Sequence, residues 1–288
     1  MTDLLPGFDP SESDLVEMAL AMPLEKKIEK AILFFREYGE GAYGAFSGGK
    51  DSCVIKQLAI DAGVNVDWHY NNVTIDPPEL VQFIRKHHSE VKWNSKPIGL
   101  LNRMVEKACA PTQFRRWCCA EYKEQGGNDR DKIIGVRIAE SPRRSKLWKL
   151  VVAHRKTGKL ILCPICYWTN DDVWTYIQLR GIPYCSIYDE VDTNGKKLFD
   201  RLGCVGCPLA GVKTQQKTFK RWPRFERAWR NAFTRLWAKW HGTLNAKGEP
   251  RGFEKYGSAE GFWQWWVTGG DYKGEGDQCV FEDMMEQR

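Results

Sequence analysis

The sequence has no apolar run that approaches the roughly 20 residues of a membrane-spanning helix. Its first residues, MTDLLPGFDPSESD, lack the basic and apolar stretches of a secretion signal. Together these absences predict a soluble, cytoplasmic chain with no membrane partner. Histidine is scarce, with five residues scattered at His69, His87, His88, His154 and His241, and such scatter reads as packed or solvated side chains. Internal repeats and low-complexity tracts are also missing, which excludes solenoid and fibrous architectures. The ten cysteines stand out against this background. Without a secretion signal they do not read as a disulfide framework, and metal or thiol chemistry is the expectation. At 288 residues and 42% hydrophobic content the chain has ample material for one large domain, alone or with an appendage.

The most informative stretch is GAYGAFSGGKDSCVIKQLA at residues 41–59. A small-residue strand enters the loop Ser47-Gly48-Gly49-Lys50-Asp51-Ser52, and an amphipathic run with Val54, Ile55 and Leu58 leaves it. Strand, glycine loop and helix N-terminus together form an anion site, because the first helical turn has unpaired N–H groups and the positive end of the helix dipole. Ser47 and Ser52 add hydroxyls and Lys50 adds charge. Gly44-x-x-x-x-Gly49-Lys50 nearly matches a Walker A loop, but that loop needs Ser or Thr after the lysine to hold magnesium, and Asp51 stands there.

Residues 11–38 read as one or two helices, and 64–75 as a strand ending in the turn Asp76-Pro77-Pro78-Glu79. A helix over 80–88, a short strand over 90–93, a helix over 98–109 and a strand over 132–136 follow. Residues 147–153 and 160–163 flank a turn signal, Lys156-Thr157-Gly158-Lys159, and read as a hairpin. Thr169 and Asp172 approach a capping box for the next helix, which Gly181-Ile182-Pro183 ends. Alternating strands and helices predict an α/β, doubly wound, mostly parallel sheet of Rossmann-like form. Its ligands would sit at the C-terminal ends of the strands.

The last third has another character. The formal net charge is +6, yet residues 212–241 hold nine Lys or Arg against one acid, Glu226, a local +8 that leaves about −2 for the rest. Trp222, Phe225, Trp229, Phe233, Leu236 and Trp240 recur at three- and four-residue steps, so residues 221–241 form an amphipathic helix with an aromatic and a basic face. Arg221, Arg224, Arg227, Arg230 and Arg235 alternating with tryptophans suit nucleic-acid phosphate and base stacking, or else a helix that packs its tryptophans and solvates its charge. A second short aromatic helix carries Phe262, Trp263, Trp265 and Trp266, and a glycine-rich, then acidic tail carries Cys279. The division expected from these shifts is 1–40 N-terminal helices, 41–211 nucleotide-binding domain and 212–288 helical extension.

Six motifs in order resemble the PAPS (phosphoadenosine phosphosulfate) reductase family of the PP-loop, or adenine-nucleotide alpha-hydrolase, superfamily. They are SGGKDS, Asp76-x-x-Glu79, Arg116-Trp117-Cys118-Cys119, Gly135-Val136-Arg137-x-x-Glu140-Ser141-x-x-Arg144, Pro164-Ile165-x-x-Trp168-x-x-x-Asp172-Val173-Trp174, and Gly203-Cys204-x-x-Cys207-Pro208. The resemblance implies an adenylyl nucleotide, ATP or APS (adenosine phosphosulfate) or PAPS, held by Ser47, Gly48, Gly49, Lys50, Asp51, Ser52, Asp76, Arg137 and Arg144. Guanidinium groups suit its anionic part, and Asp51 and Asp76 suit Mg²⁺ or ribose. It is similar to the iron–sulfur APS reductases and DNA phosphorothioation ATPases in its cysteines. Cys118-Cys119 and Cys204-x-x-Cys207, with 84 residues between them, match the pattern that holds a 4Fe-4S cluster. Zinc on Cys163-x-x-Cys166 with Cys204-x-x-Cys207 is the competing arrangement.

The reductases' C-terminal Glu-Cys-Gly-x-His string has no counterpart here, and Cys279 is the one C-terminal thiol. The resemblance therefore leads to ATP-dependent (ATP pyrophosphatase) sulfur transfer or activation, with Lys50 and Asp51 as candidate catalytic residues. An APS or PAPS reductase, with Cys279 as nucleophile and a thioredoxin-like reductant as partner, is the second expectation. A nucleotide sensor without turnover is the third.

Overall fold

The computed structural model describes residues 12–140, 149–154 and 157–270. These fall into two compact units interleaved along the chain. The first takes the chain up to Asn71, Glu79–Asn94 and Gly126–Leu202, and the second takes Asn72–Pro78, Ser95–Gln125 and the chain from Gly203 onward. Arg144 and Cys279 lie outside the described residues, as do Ser141 and the first part of the expected 147–153 strand.

The first unit is built on a six-stranded sheet. Its strands are β1 (Tyr43–Ala45), β2 (Asp67–Asn72), β3 (Lys92–Ser95), β4 (Lys132–Ile133), β5 (Val151–Ala153) and β6 (Leu160–Leu162). Their order is β3-β2-β1-β4-β6-β5. β1 runs parallel to β2 and β4, and β4 parallel to β6, while β5 and β6 form the expected antiparallel hairpin. The sheet is thus mostly parallel and the fold α/β. Strand order reverses between β1 and β4, and the loop after β1 opens where such sheets form a ligand crevice.

The N-terminal helical run divides into α1 (Glu12–Ala21) and α2 (Leu24–Tyr38), with α3 (Lys50–Ala62), α4 (Pro78–His87) and α7 (Asn170–Arg180) following the strands. α3 packs against both α2 and α7, burying Val54, Ile55 and Leu58 completely. α7 starts with the capping box anticipated at Thr169 and Asp172. The Asp172 carboxylate also receives Lys27 Nζ at 2.6 Å, which ties α2 to the same cap.

Two elements are shorter than their apolar runs suggest. β4 pairs over two residues only, because the chain then turns toward α3, where a Cβ on Gly135 would stand 3.1 Å from the Asp51 carbonyl carbon. α5 spans Leu100–Glu106, and its Leu100 N–H bonds Thr74 Oγ1 at 3.1 Å.

The second unit is helical, with α5, α6 (Trp117–Tyr122), α8 (Val212–Arg221), α9 (Pro223–Trp240) and α10 (Ala259–Val267). The single helix expected over 221–241 is preceded by α8, and the break falls where Pro223 takes the first position of α9. Trp229, Phe233, Trp263 and Trp266 form the core of this unit. Two indole N–H groups bond carbonyls of neighbouring segments, Trp240 to Val105 and Trp266 to Pro111, each at 2.6 Å. Trp222 and Trp229 are buried and so cannot stack on bases, whereas Arg224, Arg227 and Arg235 on the opposite side of α9 are exposed. No helix among the described residues is long and apolar enough to cross a membrane.

Candidate nucleotide and metal sites

The loop between β1 and α3 has the conformation that an anion site requires. Gly48 sits at φ +72°, and a Cβ there would come within 2.7 Å of Leu80 and 2.8 Å of Ile84 on α4, so only glycine lets the turn rest on that helix. Gly49 is the N-cap of α3 and, lacking a side chain, does not cap the helix itself. The N–H groups of Asp51 and Ser52 therefore lie in the first turn without an intrahelical acceptor. Ser47 Oγ accepts from Gly49 N–H at 3.3 Å and lies 3.3 Å from Ser52 Oγ.

Charge is concentrated directly beneath. Lys50 is turned inward: its ammonium donates to the Asp200 carbonyl at 2.9 Å and stands 3.6 Å from the Asp51 carboxylate. Burial lowers its pKa, with Asp51 opposing that shift. Asp51 in turn receives Arg137 Nε at 2.6 Å. Arg137 is 3% exposed, and beyond it Glu140 pairs with Arg201 at 3.2 Å. A chain of alternating charges, Lys50, Asp51, Arg137, Glu140 and Arg201, thus runs from the loop. The sequence points to Lys50, Asp51 and Arg137, and the structure brings these three together.

The four cysteines expected to ligate metal also converge. Cys118 and Cys119 open α6, and Cys204 and Cys207 flank a tight loop; all four line one cavity of about 30 Å³ walled by Val73, Ile75, Leu100, Pro111 and Trp229. The loop is held from three sides. Trp229 Nε1 donates to the Val205 carbonyl at 3.1 Å, the Gly206 N–H to Thr218 Oγ1 at 3.0 Å, and Gln215 Nε2 to the Gly206 carbonyl at 3.0 Å. Gly206 lies at φ +75°, where a Cβ would meet the Phe219 ring at 2.4 Å.

Lys123 is the cation beside this set. The Cys204 sulfur raises its pKa against the effect of burial, and Asp76 adds to the rise. Burial pushes the Cys204 and Cys207 thiols up, with Lys123 opposing. In the other pair the neighbouring Cys118 thiol lowers the pKa of Cys119, and Lys123 and Arg116 act the same way.

Four sulfurs and no other ligand type suit a thiolate-held iron–sulfur centre, a fit that rests on donor chemistry rather than on the size of the cavity. Among the described residues no three His, Cys, Asp or Glu side chains are grouped so as to hold a metal ion as they stand. Cys163 and Cys166 have a different environment, fully buried in an apolar cluster with Ile138.

Asp76 belongs to the second unit, where it faces Lys123 and Cys204. Reading the sequence missed Tyr188, whose hydroxyl accepts the Lys50 N–H at 3.1 Å, and the Asp200 carbonyl. Neither has a local signal, since they lie 138 and 150 residues from Lys50. Lys123 was missed too, although its place four residues after Cys119 on one helical turn was a usable sign.

The profile described as the phosphoadenosine phosphosulfate reductase domain matches residues 42–210, more than half of the chain. Adenosine 5'-phosphosulfate reductase 2 of Bacillus subtilis is 32% identical over 225 residues, covering 73% of this chain and 90% of that protein. An uncharacterized protein of Methanocaldococcus jannaschii is 25% identical over 237 residues, 77% of this chain, and this chain spans 45% of that longer relative. The solved phosphoadenylyl-sulfate reductase of Candida auris superposes with a TM-score of 0.44 at 13% identity, covering 63% of this chain and 93% of that one. The chain belongs to the phosphoadenosine phosphosulfate reductase family.

Proposed function

We propose that this protein uses ATP to activate a nucleic-acid acceptor for sulfur chemistry. The loop at residues 47–52 takes the pyrophosphate end of ATP, with the first-turn N–H groups and the Ser47 and Ser52 hydroxyls as donors. Arg144 is the further guanidinium proposed for the anion. Asp51 and Asp76 are proposed for Mg²⁺ or ribose. An acceptor oxygen attacks the α-phosphorus, the bond to the bridging oxygen of the β-phosphate breaks, and pyrophosphate leaves. In this step Lys50 and Asp51 hold charge at the base of the loop, and Arg137 orients the Asp51 carboxylate. Cys118, Cys119, Cys204 and Cys207 are the proposed ligands of a 4Fe-4S cluster, which when bound supplies a site for sulfur or for single electrons.

One observation carries the choice of acceptor. The helices that hold the Cys204–Cys207 loop, α8 through Gln215 and Thr218 and α9 through Trp229, present a basic face on their outer side. Lys213, Lys217 and Lys220 recur at helical spacing on α8, and Arg224, Arg227 and Arg235 on α9, all exposed. One scaffold therefore joins the thiols to a surface suited to polyphosphate backbones. A small nucleotide substrate needs no such surface.

The charge-reversal pair Arg224→Glu with Arg227→Glu is expected to lower affinity for a short RNA or DNA duplex at least ten-fold. It should also reduce the slope of log K against log salt by about 2, with thermal stability kept. Unchanged affinity, or salt-independent failure of the natural chain to bind, would remove the nucleic-acid part.

The Bacillus subtilis relative favours a second reading, reduction of APS to sulfite and AMP. That reading assigns the nucleophile to Cys279, resolved by a thioredoxin-like reductant, and requires sulfite production to vanish in Cys279→Ser.

A further inference from the structure

We propose that Tyr188 is a phosphate-binding residue, its hydroxyl proton donated to the anion seated on the loop; the inference rests on the reading of residues 47–52 as the nucleotide site. Tyr188 is 2% exposed and comes from the short 3₁₀ turn Ser186–Asp189, far from the loop in sequence. Its oxygen accepts the Lys50 N–H at 3.1 Å. The Lys50 N–H therefore occupies a lone pair of that oxygen, which turns the O–H bond itself elsewhere.

No acceptor for that proton is found among the described residues, and a buried hydroxyl without one is costly. The position of the group says where the acceptor belongs. A Cβ built on Gly49 would lie 3.4 Å from Tyr188 Oη and 3.4 Å from Ser47 Oγ, so two hydroxyls converge on the N-cap of α3. The Lys50 ammonium stands 5.5 Å from the centre of the Tyr188 ring, so a cation lies beside the same N-cap. A phosphate oxygen at the N-cap would complete the hydroxyl's bonding and receive a charge-assisted hydrogen bond.

The rival role for Tyr188 is a plain helix cap, its oxygen occupying an N–H that would otherwise bind the anion. The two roles predict opposite signs. Calorimetric titration of the full chain with inorganic pyrophosphate is expected to show Tyr188→Phe binding about ten-fold more weakly than the natural chain. Equal or tighter binding by Tyr188→Phe overturns the proposal while leaving the loop as the nucleotide site. No binding of pyrophosphate by the natural chain overturns both.

Should Tyr188→Phe fail to fold, replacement of Tyr188 by a ring-fluorinated tyrosine keeps the hydroxyl as a better donor and a poorer acceptor. That protein is expected to bind pyrophosphate at least as tightly as the natural chain, and weaker binding overturns the proposal.

Discussion

Cys204→Ser is expected to abolish iron binding. Purified without oxygen, the natural chain should carry about four irons and four sulfides, and the variant close to none. The size of the effect follows from the position of Cys204. Its sulfur lines the cavity with Cys118, Cys119 and Cys207, Lys123 lies beside it, and among the described residues no histidine or carboxylate lines that cavity. Serine keeps the volume but exchanges a soft thiolate for a hard hydroxyl, which iron–sulfur centres do not favour. Cys163→Ser serves as the contrast, because Cys163 is enclosed by apolar side chains with Ile138 and should leave the iron content unchanged. Metal analysis with sulfide determination checks both. One zinc per chain in place of iron, or iron retained by Cys204→Ser, would contradict the assignment.

Arg137→Ala is expected to cost about 3–5 kcal/mol of folding stability, because it removes one partner of a buried ion pair and leaves the other charged. The Arg137 side chain is 4% exposed and that of Asp51 18%, so water replaces the lost contact only in part. Asp51 would keep only Lys50 at 3.6 Å, and Glu140 would keep Arg201. The double variant Asp51→Asn with Arg137→Met removes both charges at similar volume and should recover most of that stability. It should not recover nucleotide binding, which depends on the charges themselves. Urea denaturation read beside nucleotide titration separates the two effects, and full recovery of both in the double variant would mean that the pair serves the fold alone.

The features legible in the sequence are those carried by short-range patterns. Glycine pairs and serines at residues 47–52 mark a strand-to-helix anion loop because each residue's role is fixed within one turn. Thr169 and Asp172 announce a capping box for the same reason. The four cysteines are paired across the chain only through the family resemblance, and nothing in their spacing says that Trp229, Gln215 and Thr218 hold the Cys204–Cys207 loop.

Long-range choices are where sequence reasoning stops. The spacing of Trp229, Phe233 and Trp240 identifies an amphipathic helix but not what covers its aromatic side, and the structure shows that side forming the core of the second unit. Tyr188 reads as an ordinary core aromatic until its hydroxyl is found on the Lys50 N–H. The interleaving of the second unit, with Asn72–Pro78 and Ser95–Gln125 joined to the chain after Gly203, has no signal in composition, because it follows from packing alone.

The measurement that tests the central proposal most directly is product analysis of the anaerobically purified protein. It would be incubated with Mg²⁺ and ATP plus nucleic acid, and in parallel with APS or PAPS plus a reduced thioredoxin. ATP-dependent activation predicts pyrophosphate and adenylylated nucleic acid from the first mixture and no sulfite from the second. Sulfite from APS or PAPS, with ATP left intact, would contradict it and make the protein a reductase.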